Sequence, residues 1–295
     1  MFAVWPTACG IRNDRTRRIM TLGARQIDDL VEVVRQAGAT HIMPRFRRLS
    51  RDQIDTKSNA RDLVTIADRA SEDAIRRDVE RILPGAAFVG EEAVAADPRL
   101  LDAIGAAETC VVVDPIDGTG NYVAGLAVFG TILAVIHKGQ TVFGLLYDPL
   151  VDDWMFAARG EGAWFHRRDG DCVPLRTRAD CDLADASGFL AFEDHRLDER
   201  ETLLRGFGAA FHVRDIRCSC HEYRLLASGG ADFLRSFSLK PWDHAAGLLL
   251  LAEAGGWAAV NGETPYSPVH HEGRIVAASC EPMGRRIAEL ASALP

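Results

Sequence analysis

Three short acidic stretches of the sequence contain residues that could bind a metal ion. They contribute Glu91 and Glu92, then Asp114 and Asp117, and finally Asp243. Carboxylates that lie within a few ångströms of one another raise each other's pKa, so a cation has to compensate for their charge. Carboxylate oxygens are ligands for Mg²⁺ or Mn²⁺, and these ions also bind phosphate oxygens. The acids therefore favour a site at which metal ions hold a phosphate.

The central stretch, DPIDGTGNY at 114–122, combines two of these acids with residues that constrain the backbone. Pro115 fixes its own φ angle and has no amide donor, so the turn can direct both carboxylates and the Ile116 carbonyl to one point. Gly118 and Gly120 let a ligand approach the backbone closely, and the amides of a helix that begins here would bind an anion. Taken alone, the stretch also fits a tight turn in which an Asp caps a helix.

Two other classes of acidic site fit this stretch less well. Haloacid-dehalogenase-type phosphatases have one residue between their two Asp residues, whereas two residues separate Asp114 from Asp117. A calcium-binding EF-hand loop needs alternating acids across about twelve residues, and residues 123–125 supply none. The spacing therefore argues against a phosphoaspartyl mechanism and against an EF-hand.

The composition of the 295-residue chain excludes several classes of partner. Its 42 Asp and Glu residues outnumber its 34 Lys and Arg residues, and the net charge of −8 argues against general nucleic-acid binding. No apolar stretch approaches the roughly 18 to 20 residues that cross a bilayer. The seven cysteines, an odd number, are typical of reduced thiols in a cytoplasmic protein. We therefore expect a small-molecule partner, with no nucleic acid and no membrane.

The first residues do not resemble a secretory signal peptide, because apolar side chains precede the basic cluster at 12–18. Met20 stands directly before a helix-like stretch, so it is an alternative start of translation. We interpret residues 1–19 as disordered or misassigned sequence.

The elements that must position the acids follow from hydrophobic periodicity and from turn residues. In the first half we predict a helix over 27–37, a solvated loop or hairpin over the arginine-rich 44–62, a helix opening at 62–65 and ending before Pro84, strands at 86–89 and 111–113, and an antiparallel meander over 127–158. An anion-binding flap is the alternative for 44–62. Two of the three acidic stretches directly follow a predicted strand.

The second half alternates strands with helices, which predicts a second sheet flanked by helices. We predict strands near 185–191, 211–216, 231–234 and 275–278, and helices over 197–210, 221–228 and 244–254. Cys218, Cys220 and His221 could suggest zinc, but the run lacks the second ligand pair of a structural zinc site. Buried strand thiols are the preferred interpretation.

Four blocks of residues, in this order, resemble the inositol monophosphatase family of magnesium-dependent, lithium-sensitive phosphatases, which is related to fructose-1,6-bisphosphatase. The blocks are Lys57 with Asp62-Leu-Val-Thr-x-x-Asp68, then Gly90-Glu-Glu92, then DPIDGTGNY, then Trp242-Asp-x-Ala-Ala-Gly247. The resemblance extends from about residue 25 to the C-terminus. It implies an α/β fold, a layered αβαβα sandwich, with an α+β part at 20–165 that carries most metal ligands. An α/β part at 166–295 would supply Asp243 and the substrate side.

The resemblance also implies a role for each matching residue. Glu91, Asp114 and the Ile116 carbonyl would bind one Mg²⁺, Asp114, Asp117 and Asp243 would bind a second, and a third, weaker ion would share Glu91. Mn²⁺ is the alternative ion. Thr119 and Asp68 would orient the attacking water, with Glu92 nearby, and the Gly118 and Thr119 amides would bind the phosphate. Family members are typically homodimers.

Three residues are candidates for the substrate side: Lys57, Cys220 and Ser236. Inositol-specific members have an acid seven residues before the last metal-binding Asp, and Ser236 occupies that place here. The resemblance therefore implies a Mg²⁺-dependent phosphatase, inositol-1-monophosphatase-like, that hydrolyses a small phosphorylated metabolite. Histidinol phosphate, a 3′-phosphonucleotide and fructose 1,6-bisphosphate remain alternative substrates. A catalytically idle binding or regulatory member is the alternative of another class.

Overall fold

The computed structural model describes residues 22–191 and 197–292. The helices are α1 (Ala24–Ala37), α2 (Ile66–Ile82), α3 (Glu91–Ala96), α4 (Ala103–Ala106), α5 (Thr119–Ala124), α6 (Leu197–Gly206), α7 (Ser219–Ala227), α8 (Pro241–Glu253) and α9 (Glu281–Ser292). The strands are β1 (Ile54–Thr56), β2 (Leu63–Thr65), β3 (Ala87–Gly90), β4 (Thr109–Asp117), β5 (Gly130–His137), β6 (Gln140–Asp148), β7 (Asp153–Ala158), β8 (Ala163–His166), β9 (Cys172–Pro174), β10 (Ser187–Leu190), β11 (His212–Arg214), β12 (Phe233–Ser236), β13 (Trp257–Val260) and β14 (Ile275–Ala278).

The first sheet has seven strands in the order β3-β4-β5-β6-β7-β8-β9. Only β3 and β4 are parallel, and the following strands form the predicted antiparallel meander. Its strands extend to Pro174, beyond the expected boundary at residue 165. Helices α1 and α2 cover one face, where Leu30, Val34 and Ile75 pack against the sheet.

The second sheet has five strands in the order β11-β10-β12-β14-β13. Strands β11, β10 and β12 are parallel, whereas β14 pairs antiparallel with both β12 and β13. Helices α7 and α8 fill the layer between the two sheets, and side chains of α6 and α9 pack on the outer face of the second sheet. The layers therefore follow the order αβαβα, and the predicted fold class is confirmed.

Helix α8 is buried around most of its circumference, as its apolar sequence requires. It lies so close to the first sheet that a β-carbon on Gly144 would stand 2.8 Å from the Ala246 carbonyl oxygen. A β-carbon on Gly247 would overlap the Tyr223 ring, at 2.2 Å. These close approaches fix α8, whose first turn carries Asp243, against β6 and α7.

Some predicted elements differ from the structure. Residues 63–65 do not open α2: they form β2, which pairs with β1, and the extended Thr65 then caps α2 through its side chain. Helix α8 begins at Pro241 rather than at 244, because proline is well suited to a first helical position. Cys220 lies in α7, not in a strand.

Among the elements that the sequence analysis did not predict are α3, α4, β8, β9, β13 and α9. Alanines weaken the strand signal of β13. The buried residues Met283, Ile287 and Ala291 give α9 a regular four-residue spacing that could have identified it. The prediction for residues 1–19 lies outside the described residues. Within 22–191 and 197–292, no helix is long and apolar enough to cross a membrane.

Candidate active site

Asp114, Asp117 and Asp243 converge at the end of β4. A register shift between Asp114 and Asp117 interrupts the pairing of β4 with β5, and a bulge of this kind re-aims side chains. Asp243 reaches the same place from the first turn of α8. One carboxylate oxygen from each of the three residues lies within 4.8 Å of the others. The structure thus brings together three acids from two distant segments.

Glu91 joins this cluster from the first turn of α3. Burial raises the pKa of Asp114, and the negative charge of Glu91 raises it further. The start of α3 is held by Glu72, whose carboxylate accepts hydrogen bonds from the amides of Glu92 (2.8 Å) and Ala93 (2.9 Å). A β-carbon on Gly90 would lie 2.1 Å from the Glu72 carboxyl carbon, so only glycine leaves room for this cap.

Glu72 is a positioning residue that the sequence analysis missed. It is buried, and it lies one helical turn after Asp68 on the face of α2 that also carries Ile75 and Val79. Two acids four residues apart on a buried helix face are costly without partners. The pairing of Asp68 with Glu72 on this face was therefore the signal in the sequence that could have identified Glu72.

Two lysines lie beside the acids. The Lys57 ammonium is 2.7 Å from Glu91 and 3.0 Å from Glu92, and these charges raise its pKa although burial alone would lower it. Lys57, expected on the substrate side, thus contacts expected catalytic and metal-binding residues. Lys240, which was not among the expected site residues, has a pKa raised by the charge of Asp243 and also by that of Glu91.

Burial is the first cause of high pKa values throughout the cluster. It raises the pKa of Asp117 to about 6 and that of Asp243 to about 8, and repulsion by neighbouring carboxylates adds to both. It also raises the pKa of Glu92 to about 8 and that of Asp114 well above its ordinary value. Several of these groups would hold protons at neutral pH unless a cation compensated for their charge.

The donor set fits a divalent cation with a preference for oxygen. Asp114 is 2% exposed, and its Oδ1 atom is buried without a hydrogen-bond partner. A buried carboxylate oxygen that lacks a donor is costly, whereas coordination of a hard cation would satisfy it. The site therefore has the chemistry of a metal centre.

Thr119 and Asp68 form a network beside this cluster. The Thr119 hydroxyl lies 3.1 Å from Asp68 Oδ1 and 2.9 Å from the Ile116 carbonyl oxygen. The other oxygen of Asp68 accepts hydrogen bonds from the Thr65 amide (2.9 Å) and hydroxyl (2.6 Å). Burial raises the pKa of Asp68 to about 6, although the bonds from Thr65 oppose the increase. Gly118, with φ of 84°, makes the turn that leads into α5.

The first turn of α7 and the segment that leads into it hold Asp117 in place. The Cys220 amide donates a hydrogen bond to Asp117 Oδ2, and the Cys218 thiol lies 3.2 Å from the same oxygen. The Cys220 side chain itself is fully buried, with its thiol 3.8 Å from the Tyr147 carbonyl oxygen. Cys220 thus supports a metal-ligand candidate through its backbone amide, and its place on the substrate side stays a prediction.

Asn121 connects α5 to the same segment. Its side-chain amide donates to the carbonyl oxygens of Val128 (2.9 Å) and Ile216 (2.8 Å).

Ser236, at the end of β12, is partly buried, and its hydroxyl lies 3.5 Å from the Ser238 carbonyl oxygen. Glu222 in α7 is a further acid that was not predicted: burial, followed by the charge of Asp117, raises its pKa to about 8.

Comparison with known proteins gives a consistent result. The family model described as the inositol monophosphatase family matches residues 25–294. The inositol-1-monophosphatase of Bacillus subtilis is 30% identical over 81% of this chain and 87% of its own. Nus factor SuhB of Pseudomonas aeruginosa is 32% identical over 72% of this chain and 78% of its own. A solved IMPase structure from Thermotoga maritima shares the fold, with a TM-score of 0.76 at 21% identity over 92% of this chain and 100% of that one.

Proposed function

Since this chain belongs to the inositol monophosphatase family and is therefore a phosphatase of phosphomonoesters, we propose that it requires Mg²⁺ and hydrolyses a small phosphorylated alcohol. The observation that supports this proposal most directly is the buried acid cluster with an unpartnered Asp114 oxygen. Two to three ions are proposed, with Mn²⁺ as the alternative.

The expected ligand assignments use residues that lie at this cluster. Glu91, Asp114 and the Ile116 carbonyl would hold one ion, and Asp114 with Asp117 and Asp243 would hold another. When bound, the metal ions would lower the pKa of a water molecule and neutralise charge on the phosphate and on the leaving alcohol oxygen. Lys57 and Lys240 reduce the repulsion among the acids, so the cluster tolerates the close approach of its carboxylates.

The Thr119 hydroxyl would orient the attacking water and pass a proton to Asp68. A hydroxyl has one proton and can donate it to only one acceptor at a time. If the Ile116 carbonyl is occupied as a ligand, the hydroxyl is left to donate to Asp68, 3.1 Å away. With a pKa of about 6, Asp68 is largely ionised at neutral pH and can accept this proton. Glu92 lies next to Lys57 at the edge of this network.

The Gly118 and Thr119 amides would bind the phosphate. The left-handed conformation of Gly118 places the first amides of α5 after a tight turn, and amides in such turns bind anions. Preorganised donors of this kind stabilise charge that develops in a transition state.

Phosphate release from a panel of compounds tests the proposal. The panel contains inositol 1-phosphate, histidinol phosphate, 3′-phosphoadenosine 5′-phosphate and fructose 1,6-bisphosphate, each with Mg²⁺, with chelator and with added Li⁺. We expect turnover that needs Mg²⁺, decreases with Li⁺ and is lost in Asp117→Asn. No release from any of these compounds, despite tight metal binding, would refute the proposed substrate class and favour a binding role.

We also propose a homodimer, from the family resemblance, and a cytoplasmic protein that binds no nucleic acid, from its cysteines and its net charge of −8. The six cysteines in the described residues are free thiols, which suits a reducing compartment. Size-exclusion chromatography with light scattering checks the dimer, and a monomer at micromolar concentration would contradict it.

A further inference from the structure

Arg217 has an unusual backbone conformation beside the candidate active site. It lies between β11 and α7, and its φ angle of 52° is left-handed. Residues with a β-carbon are disfavoured in this region, whereas glycine adopts it readily. A non-glycine residue that persists in such a conformation points to a role for its side chain.

The backbone at Arg217 is anchored to the candidate metal and phosphate loop on both sides. The preceding carbonyl, of Ile216, accepts the hydrogen bond from Asn121, and the following residue, Cys218, contacts Asp117 through its thiol. A β-carbon on Gly118 would meet the Arg217 carbonyl oxygen at 3.4 Å. These contacts therefore fix the position of the Arg217 backbone, from which its side chain extends.

The guanidinium of Arg217 lies over the first turn of α5. A β-carbon on Gly120 would stand 3.5 Å from Nη2, 3.7 Å from Cζ and 3.7 Å from Nη1. Three nearly equal distances mean that the flat face of the group covers Gly120. The N–H donors lie in the plane of the group, so they extend along the surface of α5, one residue from Thr119. Arg217 is exposed, so a ligand can reach these donors.

The location of Arg217 differs from that of the other cations at the site. Lys57 and Lys240 interact with the carboxylates themselves. The guanidinium of Arg217 instead lies against Gly120 in α5. A guanidinium has five donors, so the group can contact a protein group and an anion at the same time. Its planar fork matches the geometry of a phosphate or a carboxylate.

We propose that Arg217 is a specificity-determining residue that binds a second anionic group, a phosphate or a carboxylate, on the alcohol part of the substrate. The inference rests on the proposed function, because the first phosphate is assigned to the metal ions and to the Gly118 and Thr119 amides. An anion on the alcohol would then lie outside the acid cluster, where Arg217 supplies the positive charge. The enzyme thus prefers phosphomonoesters whose alcohol carries a further negative charge.

Pairs of substrates that differ only in the second anion test this preference. 3-Phosphoglycerate and glycerol 3-phosphate differ by a carboxylate, and adenosine 3′,5′-bisphosphate and adenosine 3′-phosphate differ by a phosphate. In at least one pair, we expect the wild-type protein to prefer the doubly anionic member, which is the compound that carries a second anionic group besides the phosphate ester. In Arg217→Gly, kcat/KM for that member decreases by about 10- to 100-fold, the loss expected for a charged hydrogen-bonded contact, while kcat/KM for its partner changes little. Arg217→Lys keeps the charge without the fork and retains part of the preference.

Arg47 provides a matched control. It is also an exposed arginine with a left-handed backbone, at φ of 60°, but its Nε atom donates to the Gly125 carbonyl oxygen at the other end of α5. Arg47→Gly should leave the substrate preference unchanged. The melting temperature of Arg217→Gly should equal or exceed that of the wild type, since glycine relieves the backbone conformation.

The outcomes separate this inference from the proposed function. Turnover of the panel, combined with an unchanged preference in Arg217→Gly, would overturn the inference and leave the proposed function intact. If no compound is hydrolysed, the proposed function fails, and calorimetric binding of the same pairs in the presence of Ca²⁺ decides the inference. Equal affinities of the wild type and Arg217→Gly for the doubly anionic compounds would then reject it.

Discussion

Replacement of Asp117 by Asn should stabilise the metal-free protein at alkaline pH and remove its response to magnesium. Asp117 is 7% exposed, and its pKa increases from 3.8 to about 6, first because of burial. The folded state therefore holds this proton more tightly than the unfolded chain does. Stability is lost as the pH rises from about 4 through about 6, and it stays lower above that range.

The size of this loss follows from the shift of about two pKa units. Each unit corresponds to about 1.36 kcal/mol, so ionised Asp117 costs the metal-free protein up to about 3 kcal/mol at pH 8. Asn stays neutral at every pH, and its carbonyl oxygen can still accept the hydrogen bond from the Cys220 amide. In a chain of this size the gain would raise the melting temperature by up to about 5 °C.

Thermal unfolding followed by circular dichroism measures the effect, in chelator and in saturating Mg²⁺, at pH 5 and at pH 8. In chelator at pH 8, Asp117→Asn should melt above the wild type, and the difference should shrink at pH 5. Mg²⁺ at about one hundred times its dissociation constant should stabilise the wild type by about 2.7 kcal/mol and the variant far less.

Asp232→Asn is the matched control, because Asp232 is fully buried and its carboxylate pairs with an arginine as well as with an amide. Its Oδ2 atom accepts from the Ser187 amide at 2.8 Å and lies 3.3 Å from Arg178. This substitution should lower the melting temperature at pH 8, with or without Mg²⁺. The reasoning fails if Asp117→Asn is the less stable protein in chelator at pH 8, or if Mg²⁺ stabilises it as strongly as it stabilises the wild type.

Three further substitutions test the support of the site. Gly90→Ala should displace Glu72 from the start of α3 and weaken Mg²⁺ binding at least tenfold in calorimetry; an unchanged affinity would show that the cap does not position the acids. Thr119→Val should lower kcat by about 10²- to 10⁴-fold, whereas Thr119→Ser should keep most activity, because only the hydroxyl contacts Asp68; similar rates in both variants would contradict this role. Asn121→Ala leaves two backbone carbonyls without their donor and should reduce the free energy of unfolding by about 1–3 kcal/mol in urea titrations, and a loss below the error of the fit would count against the contact.

The main elements and the acid cluster could be predicted because their signals are local. Four apolar residues before Asp114 indicate a buried strand, and the proline that follows restricts the turn that carries both acids. The alternation of strand and turn residues over 127–158 predicted the meander that the structure contains. The order of the four motif blocks predicted the family, and with it the αβαβα layering.

Other features depend on contacts between distant segments, which a local pattern does not describe. Glu72 is twenty residues from the amide of Glu92 that it caps, and the amide of Cys220 meets Asp117 from across the chain. The sequence favours buried strand thiols at Cys218 and Cys220, yet Cys220 lies in the first turn of α7, where its backbone amide donates to Asp117.

The sequence by itself determined which acids form the site, since residue type and short spacing specify the oxygen ligands and the rigid turn. Only the tertiary structure decided how deeply these carboxylates are buried and which cations balance their negative charge. Burial raises their pKa values, two lysines lie beside them, and the Arg217 guanidinium lies over Gly120. The physical reason is that burial, repulsion and hydrogen bonding depend on distances through space, which packing sets only when the layers come together.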